Sequence, residues 1–270
     1  MSIIDYFAMK IVPKMYRGKG ALHPAATGEL GFGVRCIREY DVNVFFIRGE
    51  KHLVAIDAGY KNYPKLMEKC SRIGVDPADV TDLFLTHVDP DHAGGLDARC
   101  VDSFKNARIY LGKLEENYLT NTWHRKKIGP LAIKNSVQIS KGYRLLEDEE
   151  TVMLGDLKIT SLLVPGHTLG HSTYLVNDRL LFTGDSLAIN DTGGYCFFDI
   201  FNLDSDLNKK SLRSLKERMA DYDLKAVFTS HNGWTEDVKG AFANVDTIPV
   251  ISKANPFDKT APYDCFDDQE

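Results

Sequence analysis

Short apolar runs alternate with amphipathic stretches along this chain of 270 residues. Val42 to Ile47 and His52 to Ile56 are strand-like, and Arg48-Gly49-Glu50-Lys51 between them reads as a hairpin turn. From Asn62 to Gly74, the positions Leu66, Met67, Cys70 and Ile73 recur three and four apart, which predicts a helix stopped by Gly74. Asp79 to Leu85 reads as a buried strand. Further strands are expected at 107–111, from Val152, and at Leu157 to Val164, Ser172 to Val176, Leu180 to Thr183 and Lys225 to Ser230. Lys113 to Leu119 reads as a short helix, Leu207 to Met219 as a longer one with Leu207, Leu212, Leu215 and Met219 on one face, and Asp237 to Val245 as a closing helix. Residues 1–20 read as an edge strand or surface arm, Gly28 to Gly33 as a turn without the dinucleotide spacing, and the acidic tail after Pro249 as loose. Alternating strands and helices predict an α/β fold, and with no repeat or long linker a single domain over residues 1–270 is expected.

Composition narrows the class. Hydrophobic residues at 43% and aromatic residues at 10% are enough for a sizeable core without staples. A net charge of -5 argues against a general nucleic-acid-binding surface, which needs a basic footprint. Cys36, Cys70, Cys100, Cys196 and Cys265 are odd in number, widely spread and without a Cys-x-x-Cys pair, so neither a disulfide framework nor a zinc knuckle is expected, and a reducing cytoplasm fits. Met1 to Lys10 carries Asp5 in a short apolar stretch with no positive region before it, unlike a secretory signal. No segment approaches the roughly 18 apolar residues of a membrane span.

The chemistry concentrates at strand ends. Thr86-His-Val-Asp-Pro-Asp-His-Ala-Gly-Gly-Leu96 directly follows the apolar run ending at Leu85. If the chain leaves that strand extended, side chains at 87, 89 and 91 point to one side, and Pro90 keeps Asp89 out of the helical region. His87, Asp89 and Asp91 then converge with His92 beside them, a metal site in outline. Other strand ends offer His167 and His171, Asp185, and His231. Nearby imidazoles and carboxylates are what hard-to-borderline metals take.

In the order of these motifs the chain resembles the metallo-β-lactamase superfamily over nearly its whole length. Asn43 to Gly59 looks like the family's opening hairpin ending in Asp57, His87 to His92 like its main ligand motif, Pro165-Gly-His-Thr-Leu-Gly-His171 like its third, Gly184-Asp185 like its bridging aspartate and Ser230-His231 like its last ligand. The resemblance implies a four-layer αββα sandwich of two mixed sheets with a dinuclear metal site at one edge. It assigns His87, Asp89 and His167 to one metal, Asp91, His92 and His231 to the other, and Asp185 between them. Asp57 would orient the ligand loop, and His171 would be structural or supporting rather than a ligand. His23, His52 and His124 have no such context.

One departure matters. The hydrolases of the family usually carry His where this chain has Asp89, so the implied set holds four imidazoles and three carboxylates, formally -3 rather than -2. An extra hard oxygen donor shifts preference from zinc toward iron or manganese and weakens the metals as Lewis acids. The substitution resembles the diiron domain of flavodiiron proteins, which carry Glu there, although Asp is one methylene shorter. The stretch after His231 is too short for their flavodoxin domain, so a separate electron-donor protein would be required.

Three functions follow from the resemblance. The first is a hydrolase that uses a hydroxide held by two divalent transition-metal ions to cleave a small-molecule ester, lactone, thioester or phosphodiester, with Asp91 orienting the nucleophile. The second is a diiron oxidoreductase or a protein binding oxygen or nitric oxide, and the third a metal-binding sensor without turnover. Tyr195, in a Gly-Gly loop, reads first as a packing or surface residue and second as a donor to a substrate oxygen. Trp123-His-Arg-Lys-Lys127, in a stretch without clear period, reads first as a solvated surface loop and second as a border for an anionic substrate.

Overall fold

Alternate residues of each central strand enter two different cores, which is why the strands read in sequence as unbroken apolar runs. The computed structural model describes residues 22–125 and 132–249, and only the backbone of Tyr16–Arg17, Lys127–Ile128, Leu131 and Ser252–Lys253. Apart from those short strands, the arm expected at 1–20 and the tail after Pro249 lie outside the described residues. The first sheet is built from β1 (Gly28–Glu29), β2 (Val34–Glu39), β3 (Val42–Arg48), β4 (Leu53–Ile56), β5 (Asp82–Leu85), β6 (Arg108–Gly112) and β7 (Tyr143–Leu146), lying in the order β7-β6-β5-β4-β3-β2-β1. Pairing is antiparallel from β1 to β4 and parallel from β4 to β7. The second sheet takes β8 (Thr151–Leu154), β9 (Leu157–Leu163), β10 (Ser172–Val176) and β11 (Leu180–Phe182). After a separate hairpin of β12 (Leu187–Asn190) and β13 (Gly193–Cys196), it is completed by β14 (Ala226–Phe228), parallel to β11, and β15 (Trp234–Thr235).

The sheets meet face to face. Phe45, Val54, Ile56 and Phe84 of the first pack against Ile159, Tyr174, Phe182 and Phe228 of the second. Their neighbours in sequence, Val44, Phe46, Ala55, Leu83 and Leu85, face the other way, toward Cys70 of α1 (Leu66–Arg72) and Tyr118 of α2 (Glu116–Leu119). On the far side, Leu175, Leu181 and Val227 pack with Leu212 and Leu215 of α3 (Ser205–Arg218) and Ala241 of α4 (Val238–Ala241). The result is the expected αββα sandwich. Among the described residues, no helix is long and apolar enough to cross a membrane.

Several boundaries differ from the sequence expectation. The helix predicted over 62–74 starts only at Leu66, because Pro64 disfavours the helical region for Tyr63. The predicted strand from Asp79 begins at Asp82, after a tight turn at Pro77–Asp79 capped by the Asp76 carboxylate. Strand β2 was not expected, since Arg35 and Arg38 break its apolar pattern; they turn outward to the Ile73 and Tyr40 carbonyls. The closing helix is only the four residues of α4, with Gly240 inside it. The chain then bends so that the Asn244 amide donates to the Gly194 carbonyl at 2.9 Å.

The β9–β10 loop packs tightly on the segment after β6. A methyl group at Gly170 would lie 2.2 Å from the backbone nitrogen of Glu115, and backbone cannot yield as a flexible side chain does. Gly170→Ala should therefore cost about 3 kcal/mol by overpacking, measured as a lower urea midpoint at unchanged m value.

Candidate metal centre

Loops leaving β4, β5, β11 and β14 at their carboxyl ends, joined by the β9–β10 loop, gather at one edge of the sandwich, where such sheets place ligands. They bring together His87, Asp89, Asp91, His92, His167, Asp185 and His231, although these are spread over more than half of the sequence. Two groups of potential donors result, His87 with His167 and Asp185, and Asp91 with His92 and His231, the donor atoms within each group lying within 4.8 Å of one another. Asp185 touches both: Oδ1 is 3.3 Å from His92 Nε2, and Oδ2 is 3.2 Å from His231 Nε2 and 3.6 Å from His167 Nε2. Its position depends on Gly184, which has a φ of +54°, and where a Cβ would lie 2.6 Å from His171 Nε2.

Hydrogen bonds on the far side of the His87, His92 and His231 rings fix which nitrogen faces inward, whereas the buried His167 Nδ1 has no protein partner. His92 Nδ1 donates to Asp57 Oδ2 at 2.8 Å, and His231 Nδ1 donates to the Asp41 carbonyl at 2.5 Å. The Thr86 hydroxyl gives its proton to the Asp57 carboxylate and accepts from His87 Nδ1 at 3.0 Å. In their neutral forms these three rings therefore point the Nε2 lone pair into the site. His92 Nε2 faces His231 Nε2 at 3.3 Å, and His87 Nε2 faces His167 Nε2 at 3.1 Å. Ring nitrogens opposed at these distances, with the buried Asp185 Oδ1 lacking a protein hydrogen bond, are an arrangement that a cation resolves. The donor set thus fits the metal pair that the motifs imply.

Electrostatics agree. Burial alone would push His92 and His231 down, but surrounding carboxylates, Asp185 foremost, hold both well above the ordinary histidine value. The same field favours a dication in place of those protons. Burial and the neighbouring Arg125 guanidinium push His167 down to about 4, leaving it neutral and able to donate a lone pair. His171, expected not to be a ligand, accepts the Asp185 amide at its Nε2 at 3.1 Å and so aims that loop.

Tyr195 takes the surface position of its first reading, Arg125 departs from the solvated loop expected for its stretch, and other residues were not anticipated. The Tyr195 hydroxyl meets Thr192 Oγ1 at 2.7 Å within its own hairpin, and no contact links it to the cluster among the described residues. Trp123 packs on Tyr118. Arg125 is neither a solvated residue nor a free substrate contact: it pairs with Asp89 and donates to the His167 and Phe201 carbonyls. Lys126 and the Lys127 side chain lie outside the described residues. Glu115, fully buried, ties two ligand loops together, accepting from the Val88 amide at 3.1 Å and the Thr168 hydroxyl at 2.6 Å. Phe197 places its ring 5.4 Å from His167 and 5.8 Å from His231, an apolar wall. Only Thr86, adjacent to His87, had a signal in the sequence; a buried Glu in a short helix has none.

Known proteins give the arrangement a context. A profile described as metallo-beta-lactamase superfamily matches residues 37–231. Acyl-coenzyme A thioesterase MBLAC2 of Gallus gallus is 29% identical over 190 residues, covering 61% of this chain and 66% of that protein. The probable polyketide biosynthesis zinc-dependent hydrolase BaeB of Bacillus velezensis is 27% identical over 146 residues, covering 54% of each. The chain thus spans between about half and two thirds of the length of these curated relatives. A B3 metallo-beta-lactamase with an active-site glutamic acid superposes with a TM-score of 0.61 at 16% identity over 90% of both chains, which shows the shared fold.

Proposed function

The chain belongs to the metallo-beta-lactamase superfamily, and from that premise we propose that it is a metal-dependent hydrolase acting on a small acyl thioester or a related ester. The observation that carries this reading is the pair of donor groups sharing Asp185. His87 and His167 would hold one metal, Asp91, His92 and His231 the other, and Asp185 both. When bound, the metal pair supplies Lewis acidity and a nucleophile at neutral pH.

The chain's own residues do the rest. Asp91 is the carboxylate at the mouth, its side chain 21% exposed against 5% for Asp185. Its Oδ2 faces His92 and His231, and its carboxylate would also accept a hydrogen bond from the attacking water and aim it at the carbonyl carbon. Phe197 limits bulk water behind the reacting atoms. The water oxygen bonds to the carbonyl carbon, the carbon–sulfur bond breaks, and a carboxylic acid and a thiol leave. Among the esters, lactones, thioesters and phosphodiesters that this chemistry serves, the thioester is favoured by the thioesterase relative. Zinc is favoured by the zinc-dependent relative. The oxidoreductase reading needs Asp89 as an oxygen ligand, yet that carboxylate is engaged by Arg125.

Protein purified without added metal should carry about two transition-metal ions per chain, measured by elemental analysis. Acyl thioester hydrolysis should fall to background after chelation and return with zinc. Protein that binds no metal overturns the reading; metal-loaded protein that turns over no thioester or ester, but whose visible absorption responds to oxygen, points to redox chemistry instead.

A further inference from the structure

We infer that Arg125 tunes the first metal position by engaging the Asp89 carboxylate oxygen that faces it. The inference rests on the metal-dependent reading above and assigns a role to a residue outside every ligand motif. Arg125 Nη2 lies 3.0 Å from Asp89 Oδ2 and 3.2 Å from His167 Nε2, and donates to the Phe201 carbonyl at 2.9 Å. Nη1 donates to the His167 carbonyl. With 16% of its side chain exposed, the guanidinium is fixed between two loops that flank the site.

Asp89 Oδ2 is the contested atom. It faces Arg125 on one side and, on the other, His167 Nε2 at 3.2 Å and His87 Nε2 at 3.6 Å, the lone pairs of the first position. A tethered guanidinium competes with an exchangeable dication for this oxygen through the charge-assisted contact of Nη2 at 3.0 Å. Two consequences point the same way. The positive charge offsets the extra negative charge that Asp89 brings to the site, and the engaged oxygen no longer acts as a hard donor. What remains at the first position is nitrogen-rich, a set suited to zinc over iron or manganese. Asp89 and Arg125 together therefore stand in for a neutral residue, which reconciles the carboxylate in the motif with a zinc-type site.

The test is metal binding rather than turnover. Full-length wild type and Arg125→Gln, which keeps a donor for the loop carbonyls but no charge, are loaded with zinc or manganese and competed against a chelator. Arg125→Gln should bind manganese at the first position about tenfold more tightly, with a manganese paramagnetic resonance signal to match. In an Asp89→Asn background the same change should give no gain. Arg125→Lys, which keeps the cation, should stay within about threefold of wild type. Retained metal at the second position, which Arg125 does not touch, reports an intact fold; should Arg125→Gln lose it, Arg125→Met is measured against the same criteria. An unchanged manganese affinity, or a gain that persists without the Asp89 carboxylate, overturns the inference while leaving the metal-dependent reading intact. Wild type that binds neither ion overturns both.

Discussion

Asp185→Ala should empty both metal positions and reduce hydrolysis to background. Asp185 lies against both donor groups, with Oδ2 3.6 Å from His167 Nε2 of the first and Oδ1 and Oδ2 3.3 and 3.2 Å from His92 Nε2 and His231 Nε2 of the second. Burial would ordinarily favour its protonated form, but His231 and His92 hold it well below the usual carboxylate range, so it enters the site as an anion. Without it, the first position keeps His87 and His167, the second Asp91, His92 and His231, and both lose the negative charge between them. Altering groups that merely support ligands already weakens metal binding by about 10- to 100-fold, and losing a shared ligand should exceed that. Metal content is expected below about one ion per chain by elemental analysis, with the far-ultraviolet circular dichroism of wild type. Asp185→Asn separates charge from shape, since it keeps one oxygen at the same place. It should lose metal nearly as completely, and an Asp185→Asn protein with full metal content would show that Asp185 does not join the two positions.

Much of this edge was legible in the sequence because of where its residues sit rather than how many there are. Residues of metal-binding type at the ends of apolar runs are poorly placed for packing and well placed for a site, and the structure brings His87, Asp91, His92, His167, Asp185 and His231 together. The sandwich itself was legible for a related reason, since strands buried on both faces leave continuous apolar runs. Strand β2 was hidden by arginines whose side chains find backbone carbonyls at Ile73, after α1, and at Tyr40, in the turn to β3, a solution that a local apolar pattern does not carry. The orientation of Asp89 was hidden in the same way. Its partner, Arg125, belongs to a stretch without hydrophobic period, and besides His167 Nε2 its contacts include the His167 and Phe201 backbone carbonyls, which no residue type advertises. Spacing told which side chains would meet, but only the loops' contacts told which of them were already engaged.

Asp57 supports the second large effect, and two substitutions there should separate folding from metal binding. Its backbone φ is +64°, a left-handed conformation that costs a residue other than glycine about 1–3 kcal/mol and is held by what surrounds it. The fully enclosed carboxylate accepts from the Thr86 amide at 2.8 Å, the Thr86 hydroxyl at 2.9 Å and His92 Nδ1 at 2.8 Å. Asp57→Ala strands these three donors in the interior at about 1–3 kcal/mol each, so a loss of about 4 kcal/mol and a metal-poor protein are expected. Asp57→Asn is different. Asparagine tolerates the left-handed backbone, and its Oδ1 still accepts from Thr86, so the urea midpoint should correspond to a loss of only about 1 kcal/mol. Its amide group, however, now donates toward His92 Nδ1, and the ring satisfies it only by moving its proton to Nε2. That proton blocks the lone pair aimed at the second position, and metal affinity there should fall by about 10- to 100-fold in a folded protein. The displaced proton is visible as a changed imidazole tautomer by nitrogen nuclear magnetic resonance of the metal-free protein, at a pH high enough to neutralise the His92 ring that the surrounding carboxylates hold protonated. An Asp57→Asn protein with wild-type affinity and unchanged tautomer would mean that Asp57 secures the fold of the loop without aiming His92.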